Sequence, residues 1–113
     1  MKEKIFINAR IIDPSQKIDE EGSLILDKNG KVKAIGKNVK KSDAESSAET
    51  FDIKGNILIP GIVDMKAFVG EPGYEYKENF RTLSQAALAG GVTSIVTMPN
   101  TKPIIDNVSM VDF

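Results

Sequence analysis

Neither cysteine nor histidine occurs among the 113 residues of this chain. The first absence excludes disulfides, thiolate metal sites and cysteine nucleophiles. The second removes the commonest general base and the commonest zinc ligand. No sign of charge is in surplus: 15 Lys and Arg stand against 16 Asp and Glu, for a net charge of −1. Nothing therefore recommends nucleic acid or an anionic membrane as a partner. No stretch approaches the roughly 20 apolar residues of a membrane span. The basic start MKEKIFINARIID lacks the apolar run of a signal peptide. The expectation is a soluble cytoplasmic protein, and 41% hydrophobic with 27% charged residues is an ordinary globular composition.

The first half reads as β structure. Ile5 to Asp13 is an Ile-rich strand that stops at the Asp13-Pro14-Ser15 turn. Ser23 to Asp27 is a second strand. Asn29-Gly30 follows as a hairpin signal, since both residues accept positive φ. Lys31 to Ile35 alternates lysines with Val32 and Ala34, as a half-buried antiparallel strand does. Residues 37–50 (KNVKKSDAESSAET) have little to bury and read as a solvated loop. Phe51 to Ile53 is a short strand expected to rejoin the first sheet, and Gly55-Asn56 is a turn. Residues 1–56 thus form a small β domain.

The pattern changes at Ile57. ILIPGIVDMKAF is nearly continuous apolar sequence, as in a parallel strand buried on both faces. Pro60-Gly61 interrupts it, which starts the central strand at Ile62. Residues 69–76 are a loop turning at Pro72-Gly73. Lys77 to Ala89 is a helix whose Phe80, Leu83, Ala87 and Leu88 recur at helical spacing. Gly90-Gly91 ends it, a glycine past the last turn taking the left-handed cap. Val92 to Met98 is a β-branched strand stopped by Pro99. Asn100 to Pro103 is a loop at its carboxyl end. Asp106 or Asn107 is placed to cap a further helix from Val108. Residues 57–113 therefore open with one βαβ unit, and the fold class is α/β.

Two segments, PGIVDMKAFVGEPGYEYKENF and GGVTSIVTMPNTKPIIDN, carry a resemblance. The chain resembles the N-terminal portion of a dihydroorotase of the cyclic amidohydrolase superfamily. In that family the first barrel strand carries P-G-x-x-D-x-H-x-H-x-R-E-P-G, the second strand ends in M-P-N-T, and a small β domain precedes both. The resemblance implies the start of a (β/α)8 TIM-type barrel, with active-site groups at the carboxyl ends of its strands. It also implies hydrolysis of a cyclic amide at zinc. A complete barrel needs about 250 residues, so the expectation is an incomplete one, a fragment of the family's length.

The departures fall on the chemistry. Histidines at i and i+2 of a strand face one side and meet one metal. Here Lys66 and Phe68 occupy those two positions. Phe68 has no lone pair, and a lysine ammonium repels a cation. Gly70 stands where the family has the arginine that binds the substrate carboxylate. Asp64, Glu71 and Asn100 match the motif, Asn100 at the position of a substrate-contacting asparagine. Each also has a structural reading: Asp64 satisfying backbone groups, Glu71-Pro72-Gly73 shaping a turn, Asn100 bonding its own loop. Lys66, if desolvated, has the chemistry of a base or Schiff-base nucleophile; its plainer reading is a snorkelling or ion-paired lysine filling the metal position.

Three readings follow. The first is a catalytically inactive dihydroorotase homologue, without cofactor, that serves as a structural partner. The resemblance implies aspartate transcarbamoylase as that partner, and a homo-oligomer is the other association open. The second is an active hydrolase with a rearranged site, in which Asp64 and Glu71 hold a hard cation such as Mg²⁺. The third is a fragment without activity.

Overall fold

β1 (Lys4–Asp13) sets the first sheet, because it pairs on both edges. The computed structural model describes residues 1–112. On one side β1 runs antiparallel to β2 (Ile18–Leu26), which in turn pairs antiparallel with β3 (Val32–Gly36). On the other side β1 runs parallel first to β4 (Glu49–Asp52) and then to β5 (Ile57–Leu58). The five strands thus share one mixed sheet.

Odd-numbered residues of β1 point inward: Ile5, Ala9, Ile11 and Asp13 are buried, and Ile25 of β2 lies directly opposite Ile5. A bulge between Phe6 and Ala9 adds one residue to β1, and Asn8 sits there at φ 57°. Asparagine tolerates that left-handed conformation better than most residues. Its side-chain amide donates to Asp52 Oδ1 at 2.9 Å, so the bulge is tied to β4. On the opposite face Phe6 and Phe51, partners in register, stack with ring centroids 5.0 Å apart.

The antiparallel meander and the return of residue 51 to the sheet agree with the sequence pattern; the alternation expected of β3 does not appear, since Val32 is 60% exposed where a register irregularity interrupts its pairing with β2. Three further local expectations need correction. β2 begins at Ile18, five residues before Ser23. Its first half, IDEEG, is too charged to look like a strand, yet its backbone pairs with β1 from Ile18↔Asp13 onward. At the next turn only Gly30 takes positive φ; Asn29 does not. The Asp27 carboxylate instead accepts the N–H groups of Asn29 and Lys31, and the Asp27 N–H donates to the Lys31 carbonyl. That side chain organises a longer turn than the two-residue type. Finally, the segment read as loop 37–50 contains a short 3₁₀ turn at Lys41–Asp43, and Glu49 and Thr50 already belong to β4.

Residues 1–60 form one unit with β5 included, and a second unit begins at Gly61. In it, β6 (Ile62–Ala67) pairs in parallel with β7 (Val92–Thr97), joined by helix α1 (Phe80–Ala89). The strand starts at Ile62, as Pro60-Gly61 predicts. The helix starts three residues later than its apolar spacing suggests, because Asn79 caps it: the Thr82 N–H donates to Asn79 Oδ1 at 3.0 Å. At the other end Gly90 closes the last turn and Gly91, at φ 82°, takes the left-handed position. A short helix α2 (Val108–Val111) follows, capped by Asn107, whose Oδ1 accepts the Met110 N–H at 3.1 Å.

The apolar content of this unit is only partly covered. Ala67 and Val69 are its buried apolar residues, whereas Met65 is 77% and Leu88 70% exposed. No residue of α1 is fully buried. The helix stripe faces β7 across a groove of about 420 Å³ lined by Phe80, Leu83, Leu88 and Ile95 among others. Among the described residues no helix is long and apolar enough to cross a membrane.

Candidate functional site

Parallel pairing brings the carboxyl ends of β6 and β7 side by side, so the two loops that follow them share one end of the sheet. They are physically joined. The Lys102 N–H of the second loop donates to the Pro72 carbonyl of the first at 2.9 Å, and the Met98 N–H donates to the Ala67 carbonyl at 2.8 Å. This is where a barrel places chemistry.

Each motif position has a definite environment. Asp64 lies on β6, and its Oδ1 accepts the Lys66 N–H at 2.9 Å, so one carboxylate oxygen serves the strand's own backbone. Lys66 is exposed and, among the described residues, makes no ion pair, so the ion-paired reading does not hold. Phe68 is 39% exposed. Its ring packs at a tilt against Tyr74, centroids 6.3 Å apart, and Tyr74 meets Tyr76 edge-on at 6.5 Å. Lys77 Nζ sits 5.3 Å from the Tyr74 ring centroid and 5.6 Å from that of Tyr76, within cation–π range of both. The position of a family histidine is thus the edge of an aromatic cluster.

Gly70 is buried at φ 75°. Its carbonyl accepts the Tyr74 N–H at 2.6 Å. A Cβ at this position would lie 2.7 Å from the Glu78 carbonyl oxygen and 3.0 Å from that of Tyr74. The loop leaves no room for a side chain at this position.

Glu71 follows. Its Oε2 accepts the Phe80 N–H at 2.9 Å, at the first turn of α1. Beside it is a cavity of about 340 Å³ lined by Glu71, Pro72, Phe80, Thr97, Ile105, Met110 and Val111. Neither Asp64 nor Lys66 nor Asn100 reaches that cavity, so the two motif carboxylates do not share it. Asn100 is exposed. It is the neighbouring Thr101 that organises the second loop: buried, it donates from Oγ1 to the Pro103 carbonyl at 2.9 Å, and its N–H reaches the Pro99 carbonyl at 2.8 Å. Sequence reasoning passed over Thr101 and the Tyr74–Tyr76–Lys77 group. The Tyr-x-Tyr-Lys spacing beside a turn was the one visible signal for the latter.

The arrangement does not suit zinc. The Lys66 ammonium and the Phe68 ring offer no lone pair where the two strand imidazoles would be. Among the described residues no three Asp or Glu side chains converge on a cation position.

No protein-family model matches the chain. Curated relatives do. The dihydroorotase of Pelobacter propionicus is 49% identical over 100 residues, covering 88% of this chain and 23% of that protein. That of Geobacter metallireducens is 47% identical over 105 residues, covering 93% and 24%. That of Aquifex aeolicus is 42% identical over 113 residues, covering 100% and 26%. The chain therefore spans about a quarter of the length of the curated relatives it matches. Among solved structures, the L-hydantoinase (dihydropyrimidinase) from Arthrobacter aurescens aligns with a TM-score of 0.79 and 28% identity, over 97% of this chain and 23% of that one. The fold is that of the N-terminal part of an amidohydrolase: the small β domain and the first βαβ unit of a TIM-type barrel.

Proposed function

We propose that this chain, homologous to dihydroorotases over nearly its whole length, belongs to pyrimidine biosynthesis as a scaffold without its own catalysis. The observation that carries the reading is the coincidence of Lys66, Phe68 and Gly70 at the end of one strand whose supporting structure is intact. Parallel pairing, the Asn79 and Gly91 caps and the joined loops are all present around them. Drift of a whole sequence would erode these supports together with the chemistry. Loss confined to the ligand and clamp positions leaves a body selected for shape.

The partner we infer is aspartate transcarbamoylase, held in its active form by a dihydroorotase-like protein lacking metal ligands. The support is the residue pattern above and the homology. A hard-cation hydrolase built on Asp64 and Glu71 is disfavoured, since Asp64 does not reach the cavity that Glu71 lines. Three measurements on the purified protein test it. Zinc content by elemental analysis and turnover of dihydroorotate are both expected to be negligible. Sedimentation with aspartate transcarbamoylase is expected to give a stoichiometric complex. Stoichiometric zinc with turnover would overturn the inactive reading, and independent sedimentation would overturn the partner.

A further inference from the structure

The irregular segment 37–48 buries none of its own side chains, yet it lies against the first sheet. Two carboxylates hold it there: Glu20 of β2 accepts the Lys37 N–H at 3.0 Å at the segment's start, and Glu3 holds its middle. Glu3 is 4% exposed. Its Oε1 accepts Lys33 Nζ at 2.6 Å, and its Oε2 accepts the Glu45 N–H at 2.8 Å. The Glu3 carbonyl accepts the Glu49 N–H at 2.9 Å, where β4 begins. A single residue thus joins the start of β1, the edge strand β3 and the middle of the segment. At the surface a second pair links Lys28 Nζ to Glu45 Oε1 at 2.9 Å, with both side chains around half exposed. Beneath the segment is a cavity of about 360 Å³ lined by Ile5, Ala44, Glu45, Ala48 and Thr50 among others. It has little apolar contact to keep it closed.

We propose that Glu3 is a charge-dependent clasp: ionised, it holds segment 37–48 over the Ile5 end of the sheet, and without its charge the segment lifts while the strands below stay paired. Both carboxylate oxygens are used, one for an ammonium and one for an amide. A neutral group cannot serve the ammonium equally well. The charged groups facing Glu3 are Lys33 on β3, Lys28 in the turn before it and Glu45 on the segment itself. The bond from Lys33, and then that from the Glu45 amide, holds the Glu3 carboxyl below its ordinary range. Its contribution is therefore full above the ordinary glutamate value and is lost as pH falls through the depressed one. At neutral pH the clasp is shut.

Trypsin tests it on the full chain, since Lys37, Lys40 and Lys41 lie in the segment. Glu3→Gln is expected to raise cleavage at Lys40 and Lys41 about tenfold or more, the scale of losing a charge-assisted bond. Amide-exchange protection at Ile5, Ile11 and Ile25 should stay unchanged. Lys33→Met should act in the same direction. Lys28→Met, which removes the surface pair and a more distant charge but none of the Glu3 hydrogen bonds, should change cleavage less than about twofold. Unchanged cleavage in Glu3→Gln overturns the proposal. So does protection lost across β1 to β3, which would make Glu3 a support of the whole sheet. A Lys28→Met effect as large as that of Glu3→Gln overturns it as well.

Discussion

The carboxylate of Glu71 accepts the backbone N–H of Phe80 at 2.9 Å, so the loop after β6 holds the first turn of α1. The first N–H groups of a helix have no partner within it. Asn79 supplies one acceptor and Glu71 another from outside the helix. Glu71→Ala is expected to cost about 1 kcal/mol, the scale of a lost cap. Glu71→Gln, which keeps an acceptor, should cost less. Amide exchange at Phe80 and Arg81 across the two variants checks the assignment; equal protection in both would refute it.

Gly70 stands in a loop with no room for a side chain. Gly70→Ala places a Cβ 2.7 Å from the Glu78 carbonyl in a left-handed backbone. The expected loss is about 1–3 kcal/mol, seen as a lower denaturant midpoint for the second unit. Gly91→Ala, whose Cβ position is open, should cost only about 1 kcal/mol from its own positive φ. A smaller effect at position 70 than at 91 would contradict the structure.

Replacing Lys66 and Phe68 together by histidine puts imidazoles two residues apart at the carboxyl end of β6. The double variant is expected to bind Zn²⁺ or Co²⁺ measurably, but below the affinity of a complete four-ligand site. It should gain no dihydroorotate turnover. Phe68→His also removes a ring from the Tyr74 contact, which should lower stability by about 0.5–1.5 kcal/mol. Isothermal titration with the metal, with the unaltered chain as reference, distinguishes the outcomes. Metal bound by the unaltered chain as tightly as by the variant would show that Lys66 and Phe68 do not mark the loss.

Ile25 and Ile5 face each other with no exposed surface. Ile25→Val should cost about 0.5–1.5 kcal/mol and Ile25→Ala about 2–5 kcal/mol. A unit of about 60 residues has little margin, so the alanine variant is expected to lose cooperative thermal unfolding of the first unit by circular dichroism. The valine variant should keep it.

Acid should loosen the same unit in steps. Asp13 is held below the ordinary aspartate range by Ser15, then Gln16, which close a turn on its carboxylate. Asp52 is held low by Asn8 and then the Lys54 amide. Lowered values mean stability that is present above about pH 4 and lost as pH falls through the native values. Asp52→Asn should therefore flatten the acid limb of a urea-midpoint profile. Rising stability on acidification would reverse the sign and disprove the assignment.

Local signals account for what was legible in the sequence. Val92 to Thr97 is β-branched and apolar, Gly91 follows a helical stripe, and Asn107 precedes Val108; each element appears where those residues place it. What escaped had no local signal. Ile18 to Gly22 is a strand because Asp13 and its neighbours pair with it, and a pairing partner leaves no mark on charged side chains. Ile57 and Leu58 join the first sheet by pairing with Arg10 and Ile11, a choice between two sheets that apolar sequence alone leaves open. At the candidate site, residue types at positions 64 to 71 were readable. The Lys102-to-Pro72 tie and the crowding at Gly70 are backbone relations without a residue signature.

That crowding bears on how the site can change over generations. A codon change to arginine at position 70 would arrive in a loop closed against it by the Glu78 and Tyr74 carbonyls. The bearer would lose stability before gaining any grip on a carboxylate. An arginine clamp at this position would first require residues 70–78 to reopen, a step with no reward of its own. The glycine at position 70 is therefore held in place by its neighbours' backbone.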